Sequence, residues 1–204
     1  MGGVETMIKK DLYKYVSAFV MGDGGVYYAN KKSKECYFVS NSIQKPYIDW
    51  KKSILEEITK VNYRCVIDKR TDYNRKPLHV ISTRQHPTYT KMRDRFYTEK
   101  YKGIDPHYLK LLDAEVLAIL FMDDGSCYKD KRCDATPRVT LNTKRLSYAD
   151  SWLLKKGIKD SLGLEFNVSR QNKYYYLTLR SKDYNKFVDL VHPFILPCFD
   201  YKII

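Results

Sequence analysis

Two apolar segments of the chain end in the same way, with an acidic residue followed by glycine. Their sequences are VSAFVMGDG at 16–24 and LAILFMDDG at 117–125. The spacing of their apolar residues predicts that each segment closes a helix, and a glycine just beyond the last turn is an ordinary stop signal. An aspartate is unfavourable at that end, because the helix dipole is negative there. Each segment taken alone leaves two interpretations open, a structural helix end or a metal-binding site.

The remaining pattern of apolar and polar positions divides each half of the chain into the same series of elements. Strands are predicted where apolar and polar residues alternate, and helices where apolar residues recur with helical spacing. In the first half these are helices 8–21, 44–60 and 86–98 and strands 25–30, 36–42, 62–69 and 77–83. In the second half they are helices 114–122, 147–162 and 183–195 and strands 126–129, 137–143, 164–170 and 173–180. The order α-β-β-α-β-β-α therefore occurs twice.

Three sequence matches at nearly one offset indicate an internal duplication. The matched positions are Asp23 and Asp124, Asn41 and Asn142, each 101 residues apart, and Lys102 and Lys202, 100 residues apart. We predict an α+β protein of two repeats related by a pseudo-twofold axis, each with an antiparallel sheet. The predicted parts are a first repeat at 1–104, a linker at 105–112 and a second repeat at 113–204.

The net charge of +13 over 204 residues predicts a polyanionic partner, with nucleic acid first and an anionic membrane surface second. The sequence has no run of about 18 apolar residues that could span a bilayer, and its N-terminus lacks the apolar core of a signal peptide. Its five cysteines form no C-x-x-C pair and its four histidines no H-x-x-x-H pair, which counts against a zinc site. We expect a protein without a membrane partner that is not secreted and works in the cytoplasm, an organellar matrix or a nucleoid.

The duplication changes the interpretation of the two aspartates. Each motif helix carries two small residues four positions apart, which would let the helices pack closely around the predicted axis. Asp23 and Asp124 would then meet, and two adjacent carboxylates repel each other unless one is protonated or a divalent cation lies between them. Carboxylate oxygens suit Mg²⁺, with Mn²⁺ as a substitute. We therefore favour a metal site formed by both aspartates, with the preceding residues Gly22 and Asp123 beside them.

With their flanking sequences, the two motifs resemble those of the LAGLIDADG homing endonucleases of the single-chain, two-motif kind. The second half is especially similar to the omega-intron endonuclease type, in LAxxFMDDG, then VTLNT, and then PFILPxxxYK. The similarity extends over nearly the whole chain. Two departures occur: Ile119 stands where the family pattern has glycine, and the residue before the aspartate is Gly22 in one motif and Asp123 in the other. Neither departure changes the acidic positions, Asp23 and Asp124.

The resemblance implies a site-specific endonuclease that hydrolyses both strands of duplex DNA at a long asymmetric target, with divalent metals held by the motif aspartates. The two sheets would form a saddle over the major groove. The resemblance also implies which residues form the catalytic set: Asp23, Asp124, Lys102, Lys202, Asn41 and Asn142. Because one chain already supplies both copies of the unit, we expect a monomer.

Polar side chains at alternate strand positions predict a face that contacts DNA, since arginine, asparagine and threonine read base edges. Basic residues in the turns are expected to contact phosphates instead. The candidates are Tyr28, Asn30, Lys31, Lys32, Arg64, Asp68, Arg70, Lys129, Arg132, Arg138, Thr140, Asn167, Arg170, Tyr174, Tyr176 and Arg180. A solvated sheet face is the plain alternative for each of them.

Three other functions compete with the endonuclease. An RNA maturase that binds intron RNA and a DNA-binding protein that does not cut would share the fold, and a basic structural protein would share only the charge. Retention of both Asp23 and Asp124 favours cutting, because a protein that only binds has no need of two carboxylates beside phosphates.

Overall fold

The computed structural model describes residues 2–67, 76–98, 101–129, 135–143 and 145–204, with side chains from residue 11 onward. The chain divides into two compact units, Met1–Asp94 and Arg95–Ile204. Lys102, which the sequence assigns to the first repeat, therefore belongs to the second unit, and the repeat boundaries stay predictions. Three predicted DNA contacts lie outside the described residues: Asp68, Arg70 and Arg132.

The first unit follows the predicted order of elements and shares its last helix with the second unit. The elements are α1 (Gly2–Met21), β1 (Gly25–Tyr28), β2 (Cys36–Ser42), α2 (Lys45–Glu56), β3 (Val61–Val66), β4 (Leu78–Thr83) and α3 (Pro87–Phe96). The strands form an antiparallel sheet in the order β1-β2-β4-β3.

Helices α1 and α2 bury one face of the first sheet and leave the other open. Phe19 of α1 and Phe38 of β2 are fully buried, with ring centroids 6.5 Å apart. Trp50 of α2 meets Phe19 edge-on at 5.4 Å. Alternation along β2 turns Phe38 and Ser40 to this core, while Asn41 is exposed. The open face is therefore the one available to a partner.

The second unit repeats this series and adds several short elements. The elements are β5 (Tyr97–Thr98), β6 (Tyr101–Lys102), α4 (Pro106–Leu109), α5 (Ala114–Asp124), β7 (Gly125–Tyr128), β8 (Arg138–Asn142), α6 (Tyr148–Leu162), β9 (Phe166–Gln171), β10 (Tyr174–Leu179), α7 (Tyr184–Val191) and 3-10 helices at Ser181–Asp183, His192–Phe194 and Pro197–Lys202. Strands β7 to β10 form an antiparallel sheet in the order β7-β8-β10-β9, equivalent to that of the first unit.

Local sequence signals set the bounds of α6 and the packing of α5. Ser147 caps α6 by accepting a hydrogen bond from the backbone N–H of Asp150 at 3.1 Å, and Gly163 ends the helix in the left-handed conformation. In α5, Phe121 packs edge-on against Phe187 of α7 with ring centroids 5.2 Å apart. The predicted α+β class with two antiparallel sheets is confirmed.

The structure corrects the C-terminal ends of three predicted helices. The helix predicted at 44–60 ends at Glu56. The helix predicted at 86–98 ends at Phe96, because the next residues form β5 and pair with β6. The helix predicted at 183–195 is confined to α7, and a 3-10 turn at His192–Phe194 follows, with Pro193 in its first turn. The predicted linker 105–112 also contains α4. Among the described residues, no helix is long and apolar enough to cross a membrane.

Candidate functional site

Helix α5 carries most of the second motif and ends at the two aspartates of that motif. Asp113 caps its N-terminus by accepting a hydrogen bond from the backbone N–H of Val116 at 2.9 Å. Every residue from Val116 to Met122 is buried, which explains an apolar pattern on all sides of the helix. Asp123 and Asp124 follow and are half-buried. The core thus holds the helix, and its last two residues bring carboxylates to the surface.

A lysine distant in sequence compensates the negative end of α5. The ammonium of Lys202 donates hydrogen bonds to the carbonyls of Phe121 at 3.1 Å, Met122 at 2.7 Å and Gly125 at 2.8 Å. A cation at a helix C-terminus is stabilising by about 0.3–1 kcal/mol when exposed, and by up to about 2 kcal/mol when partly buried. The sequence explained the acidic helix end by a bound divalent metal, and the structure shows a lysine ammonium at the same end.

Close backbone packing requires the glycine after Asp124. A Cβ built on Gly125 would lie 2.2 Å from a ring atom of Phe121 and 2.5 Å from its carbonyl oxygen. Gly24 of the first motif meets the same restriction, with the carbonyl oxygen of Phe19 at 2.5 Å. The glycine that the sequence marks as a helix stop is therefore also a steric requirement of both motifs.

Gly125→Ala is expected to destabilise the protein by about 1–3 kcal/mol, because the new methyl group overlaps backbone atoms that cannot move freely. Urea denaturation measures the loss. Gly103→Ala is the matched control, since its Cβ would meet only Asp150 Oδ1, at an ordinary 3.7 Å. Equal stability of the two variants would contradict the steric explanation.

The first motif ends differently from the second. Helix α1 stops at Met21, and Asp23 lies exposed in the following turn, whereas α5 continues through Asp124. The backbone N–H of Gly24 donates to the carbonyl of Phe19 at 2.9 Å. Gly22 stands where the second motif has Asp123, and glycine is a poor helix former. The predicted end of the first motif helix at residue 21 is therefore confirmed, whereas the helix predicted at 114–122 continues to Asp124.

In the first unit the motif aspartate and an asparagine lie at the same end of the sheet. Gly25 of β1 pairs with Val39 of β2. Asp23 precedes Gly25 by two residues and Asn41 follows Val39 by two, so both lie beyond this pair at the same end of β1, and both are exposed. The two predicted site residues of this unit therefore come together at one end of the sheet.

The second unit repeats this arrangement. Gly125 of β7 pairs with Leu141 of β8. Asp124 ends α5 directly before this pair, and the exposed Asn142 directly follows Leu141, so both lie at the same end of β7. The separation of 101 residues that links both aspartates and both asparagines thus corresponds to the same order of elements in each unit, with a carboxylate and an amide at one end of the sheet.

Residues 16–187 match the model of the LAGLIDADG DNA endonuclease family. The chain belongs to this family. It is 26% identical over 199 residues to an uncharacterized protein of Methanocaldococcus jannaschii, covering 96% of this chain and 74% of that protein. It is 27% identical over 165 residues to the probable intron-encoded endonuclease 1 of Wickerhamomyces canadensis, covering 76% of this chain and 71% of that protein.

Solved structures support the LAGLIDADG fold. The homing endonuclease I-WcaI bound to its DNA recognition sequence matches with a TM-score of 0.81 and 21% identity, covering 100% of this chain and 93% of that one. The N-terminal LAGLIDADG domain of DUF199/WhiA matches with a TM-score of 0.58 and 15% identity, covering 96% and 88%. I-DmoI in complex with DNA and Mn matches with a TM-score of 0.56 and 16% identity, covering 88% and 95%.

Lys102 of this LAGLIDADG protein lies on β6, where its residue pairs with Tyr97 and its side chain is buried. The loop after it is fixed by Asp150, whose carboxylate accepts a hydrogen bond from the backbone N–H of Ile104 at 3.1 Å. A second hydrogen bond runs from the backbone N–H of Gly103 to the carbonyl of Phe96 at 2.7 Å. The predicted catalytic lysine thus sits on a short, anchored ribbon that sequence patterning does not reveal.

The predicted linker contributes Tyr108, which is fully buried and packs edge-on against Phe96 at 5.9 Å. Burial raises the pKa of its phenol, and the charges of Asp113 and Asp123 raise it further. The phenol therefore stays neutral and brings no charge close to the second motif. The linker is in this respect part of the core of the second unit.

The open face of the second LAGLIDADG sheet carries most of the predicted DNA contacts there. Strand register aligns Thr140 with Thr178 and Asn167, and Asn142 with Tyr176. The residues of this face that were predicted from the sequence are Arg138, Thr140, Asn167, Tyr174 and Tyr176. Lys129 follows the end of β7 and is half-buried. Alternation along the strands therefore groups these residues on one face of the sheet, and their contact with DNA stays a prediction.

Two predicted contacts in this sheet are placed differently. Arg170 pairs with Tyr175, so it lies on the face that α6 covers, with its guanidinium 6.0 Å from the Tyr175 ring. Arg180 forms an ion pair with Glu165, which also binds Lys159 at 3.1 Å. Hydrogen bonds from Lys159 and Lys182, and the charge of Arg180, lower the pKa of Glu165. Arg180 thus shares the single carboxylate of Glu165 with two lysines.

The first sheet has its own open face, on which Arg64, Val80 and Asn41 align across three strands. Tyr28 lies on the opposite face, because it pairs with the buried Cys36. Tyr27 occupies the open face instead. The remaining predicted contacts, Asn30, Lys31 and Lys32, lie exposed in the turn after β1.

Sequence reasoning missed several open-face residues of this sheet. The missed residues are Tyr27, Tyr37, Asn62 and Ser82. The strand register places them on the same face of the sheet as Asn41 and Arg64. Counting back from Asn41 in steps of two gives Tyr37, so the signal was present. Tyr27 could not be assigned in this way without knowing the pairing of β1 with β2.

The site residues of both motifs fit a hard divalent cation in their chemistry. The donors are carboxylates, which bind Mg²⁺ and similar ions through oxygen. Among the residues that the structure describes, no group of three or more His, Cys, Asp or Glu side chains forms a closed protein cage. This composition suits an ion that keeps water and takes phosphate oxygens as further ligands.

Proposed function

We propose that this LAGLIDADG protein is a homing endonuclease that hydrolyses both strands of duplex DNA at a long asymmetric target in a metal-dependent reaction. The observation that carries the proposal is that a motif aspartate and an asparagine lie at the same end of the first strand pair, once in each unit. A duplex has two scissile phosphates, and a duplicated chain has one such arrangement for each. The DNA-bound I-WcaI structure supports duplex DNA as the partner.

The motif aspartates are the proposed metal ligands, with Gly22 and Asp123 beside them. A bound divalent ion would activate water for attack on the phosphate and offset the negative charge that develops. Mg²⁺ is the proposed ion because it prefers carboxylate, water and phosphate oxygens, and Mn²⁺ is the proposed substitute. Structures of I-DmoI with DNA and Mn, and with DNA and Ca, support a divalent ion in this fold.

The other residues would position the DNA and stabilise charge. Asn41 and Asn142 can donate and accept hydrogen bonds beside the aspartates, which suits orientation of a phosphate or a water molecule. The charge of Lys102 would act on the transition state. Side chains on the open faces, such as Arg64 and Arg138, would read base edges, whereas the lysines of the β1–β2 turn would contact phosphates.

Incubation with host DNA tests the proposal. Intron-less alleles and their flanks are incubated with the protein in Mg²⁺ and in EDTA, and all ends are mapped. We expect cutting of both strands at one locus in Mg²⁺ only. Binding of the same DNA without cutting in Mg²⁺ or Mn²⁺ would instead support a DNA-binding protein that does not cut, and splicing of the host intron RNA without DNA cutting would support a maturase.

The protein is expected to be a monomer, because the duplication supplies within one chain what a single-motif protein obtains by dimerising. Sedimentation equilibrium should give a mass close to the 24.2 kDa of the chain. A stable species of about twice that mass, in the absence of DNA, would contradict the expectation.

A further inference from the structure

A connected row of aromatic and basic side chains runs along α6 and onto the neighbouring hairpin of β9 and β10. The ammonium of Lys155 lies over the ring of Trp152, 4.0 Å from its centroid. The indole N–H of Trp152 donates a hydrogen bond to the hydroxyl of Tyr148 at 2.7 Å. The rings of Tyr148 and Tyr175 have centroids 5.3 Å apart, and the guanidinium of Arg170 lies 6.0 Å from the Tyr175 ring. These five residues form what we name the aromatic stripe.

The aromatic stripe is exposed, and the repeated fold does not require it. Tyr148 is 52% exposed and Trp152 45%. In the first unit, the aromatic residues of the equivalent helix α2 turn to the core instead, since Tyr47 is buried and Trp50 packs edge-on against Phe19. Single exposed aromatic residues are ordinary on a protein surface, whereas this series is continuous and has a cation at each end. The second unit therefore adds the stripe to the shared architecture.

The stripe lies on the opposite face of the second sheet from the predicted duplex contacts. Along β10, Tyr175 alternates with Tyr174 and Tyr176, which belong to the open face. Arg170 pairs with Tyr175 and therefore shares its face. A duplex bound to the open face is thus separated from the stripe by the sheet itself.

A basic cavity of about 700 Å³ lies at the tip of the β9–β10 hairpin. Tyr174 of the open face and Tyr175 of the stripe both line it, together with Arg145 and Lys173. Asp150 is the one acid among the described residues that line it, and its carboxylate already accepts hydrogen bonds from within the protein. Ligand pockets commonly have this volume. The cavity therefore connects the proposed duplex surface with the stripe through cationic and aromatic residues.

We propose that the aromatic stripe binds an unpaired DNA strand that continues from the duplex on the open face. Bases stack on aromatic side chains when they are unpaired, and such stacking tolerates any sequence. Lys155 and Arg170 would contact the phosphates at the two ends of the stripe. Continuity with the duplex surface through the cavity favours DNA over RNA or a protein partner. Because an unpaired strand of this kind is the end of a cut or opened duplex, the inference rests on the proposed function.

Tryptophan fluorescence of the free protein tests the stripe without any cutting. The chain has two tryptophans, Trp50 and Trp152, and a base that stacks on an indole quenches its emission. A thymidine dodecamer should quench the wild-type protein, and Trp152→Phe should lose most of this quenching. Unchanged quenching in Trp152→Phe, or none in the wild type, would overturn the proposal.

Fluorescence anisotropy with the labelled dodecamer measures the contribution of single rings. Trp152→Ala and Tyr148→Ala should each weaken binding by about fivefold or more, because each removes a stacking surface. Tyr148→Phe keeps the ring and should bind within about threefold of wild type. Leu153→Ala is the matched control, since Leu153 is 43% exposed on the same helix but carries no ring. Equal losses in Leu153→Ala and Trp152→Ala would overturn the stacking role.

Two further results would assign the stripe to another occupant and overturn the proposal. A uridine dodecamer that binds about tenfold or more tighter than the thymidine dodecamer would assign the stripe to RNA. A dimer in sedimentation that Trp152→Ala dissociates would assign it to a second copy of the chain.

A duplex with a single-stranded thymidine extension tests the connection to the open face. It should bind at least about tenfold tighter than the same duplex with blunt ends, because the extension reaches the stripe within one complex. Trp152→Ala should abolish this gain and leave the affinity for the blunt duplex within about twofold of wild type. Absence of the gain in the wild type would overturn the proposal. If the wild-type protein cuts no DNA in Mg²⁺, the proposed function fails, and these binding measurements still decide the role of the stripe.

Discussion

Asp124→Asn is expected to lower double-strand cleavage by roughly 10³-fold or more, while the affinity for duplex DNA changes by less than about threefold. Asparagine keeps the shape of the side chain but removes the charge that would hold a divalent cation. Affinity should come mainly from cationic residues of the open faces and turns, which the change leaves intact. Asp23→Asn should behave in the same way, because each unit supplies one aspartate. A supercoiled-plasmid time course beside a binding titration measures both quantities.

Asp160→Asn is the control for charge alone. Asp160 is exposed on α6 and away from the motif, so the same substitution there should leave cleavage within about twofold of wild type. Wild-type cleavage by either Asp23→Asn or Asp124→Asn would disprove the assignment of these aspartates as metal ligands.

Duplex affinity is expected to fall by roughly 10³-fold or more between 50 and 200 mM salt, if about six or more phosphates are neutralised. The net charge of +13 on 204 residues motivates this expectation. Counterions condensed on DNA are released when cationic side chains replace them, so high salt opposes binding. Fluorescence anisotropy over a salt series gives the slope of log affinity against log salt concentration. A slope near zero would mean that phosphate contacts contribute little.

Substitution of turn lysines should change that slope in a predictable way. The double substitution Lys31→Ala and Lys32→Ala should reduce the magnitude of the slope of log affinity against log salt concentration. The reduction should be about one for each phosphate that the turn no longer neutralises. Lys45→Ala is the control, because Lys45 is paired with Asp49 at 2.6 Å on α2. It should leave the slope unchanged. Equal effects of the two changes would show that total charge matters and that the turn does not contact phosphates specifically.

The sequence predicted the order of elements well where local signals agree. Helix α6 illustrates this, because Ser147 and Gly163 are strong start and stop signals around an amphipathic run. The duplication was identified from similar residues that recur about 100 positions apart. This comparison of the chain with itself needs no knowledge of contacts. The open faces followed from alternation within single strands, as in β8.

Features that depend on pairing between distant segments could not be predicted. The cap by Lys202 joins carbonyls of Phe121 and Met122 to a residue 80 positions or more away, and only the folded chain brings them together. Tyr28 was assigned to the wrong face of its sheet because the register with Cys36 is set between strands.

The central claim is that each unit cuts one strand of a duplex with metal held by its motif aspartate. Mapping of cuts on a duplex with each strand labelled separately, in Mg²⁺ and in EDTA, tests it most directly. We expect one fixed cut position on each strand, in Mg²⁺ only. Cuts on a single strand, cuts at scattered positions, or the same cuts in EDTA would contradict the claim.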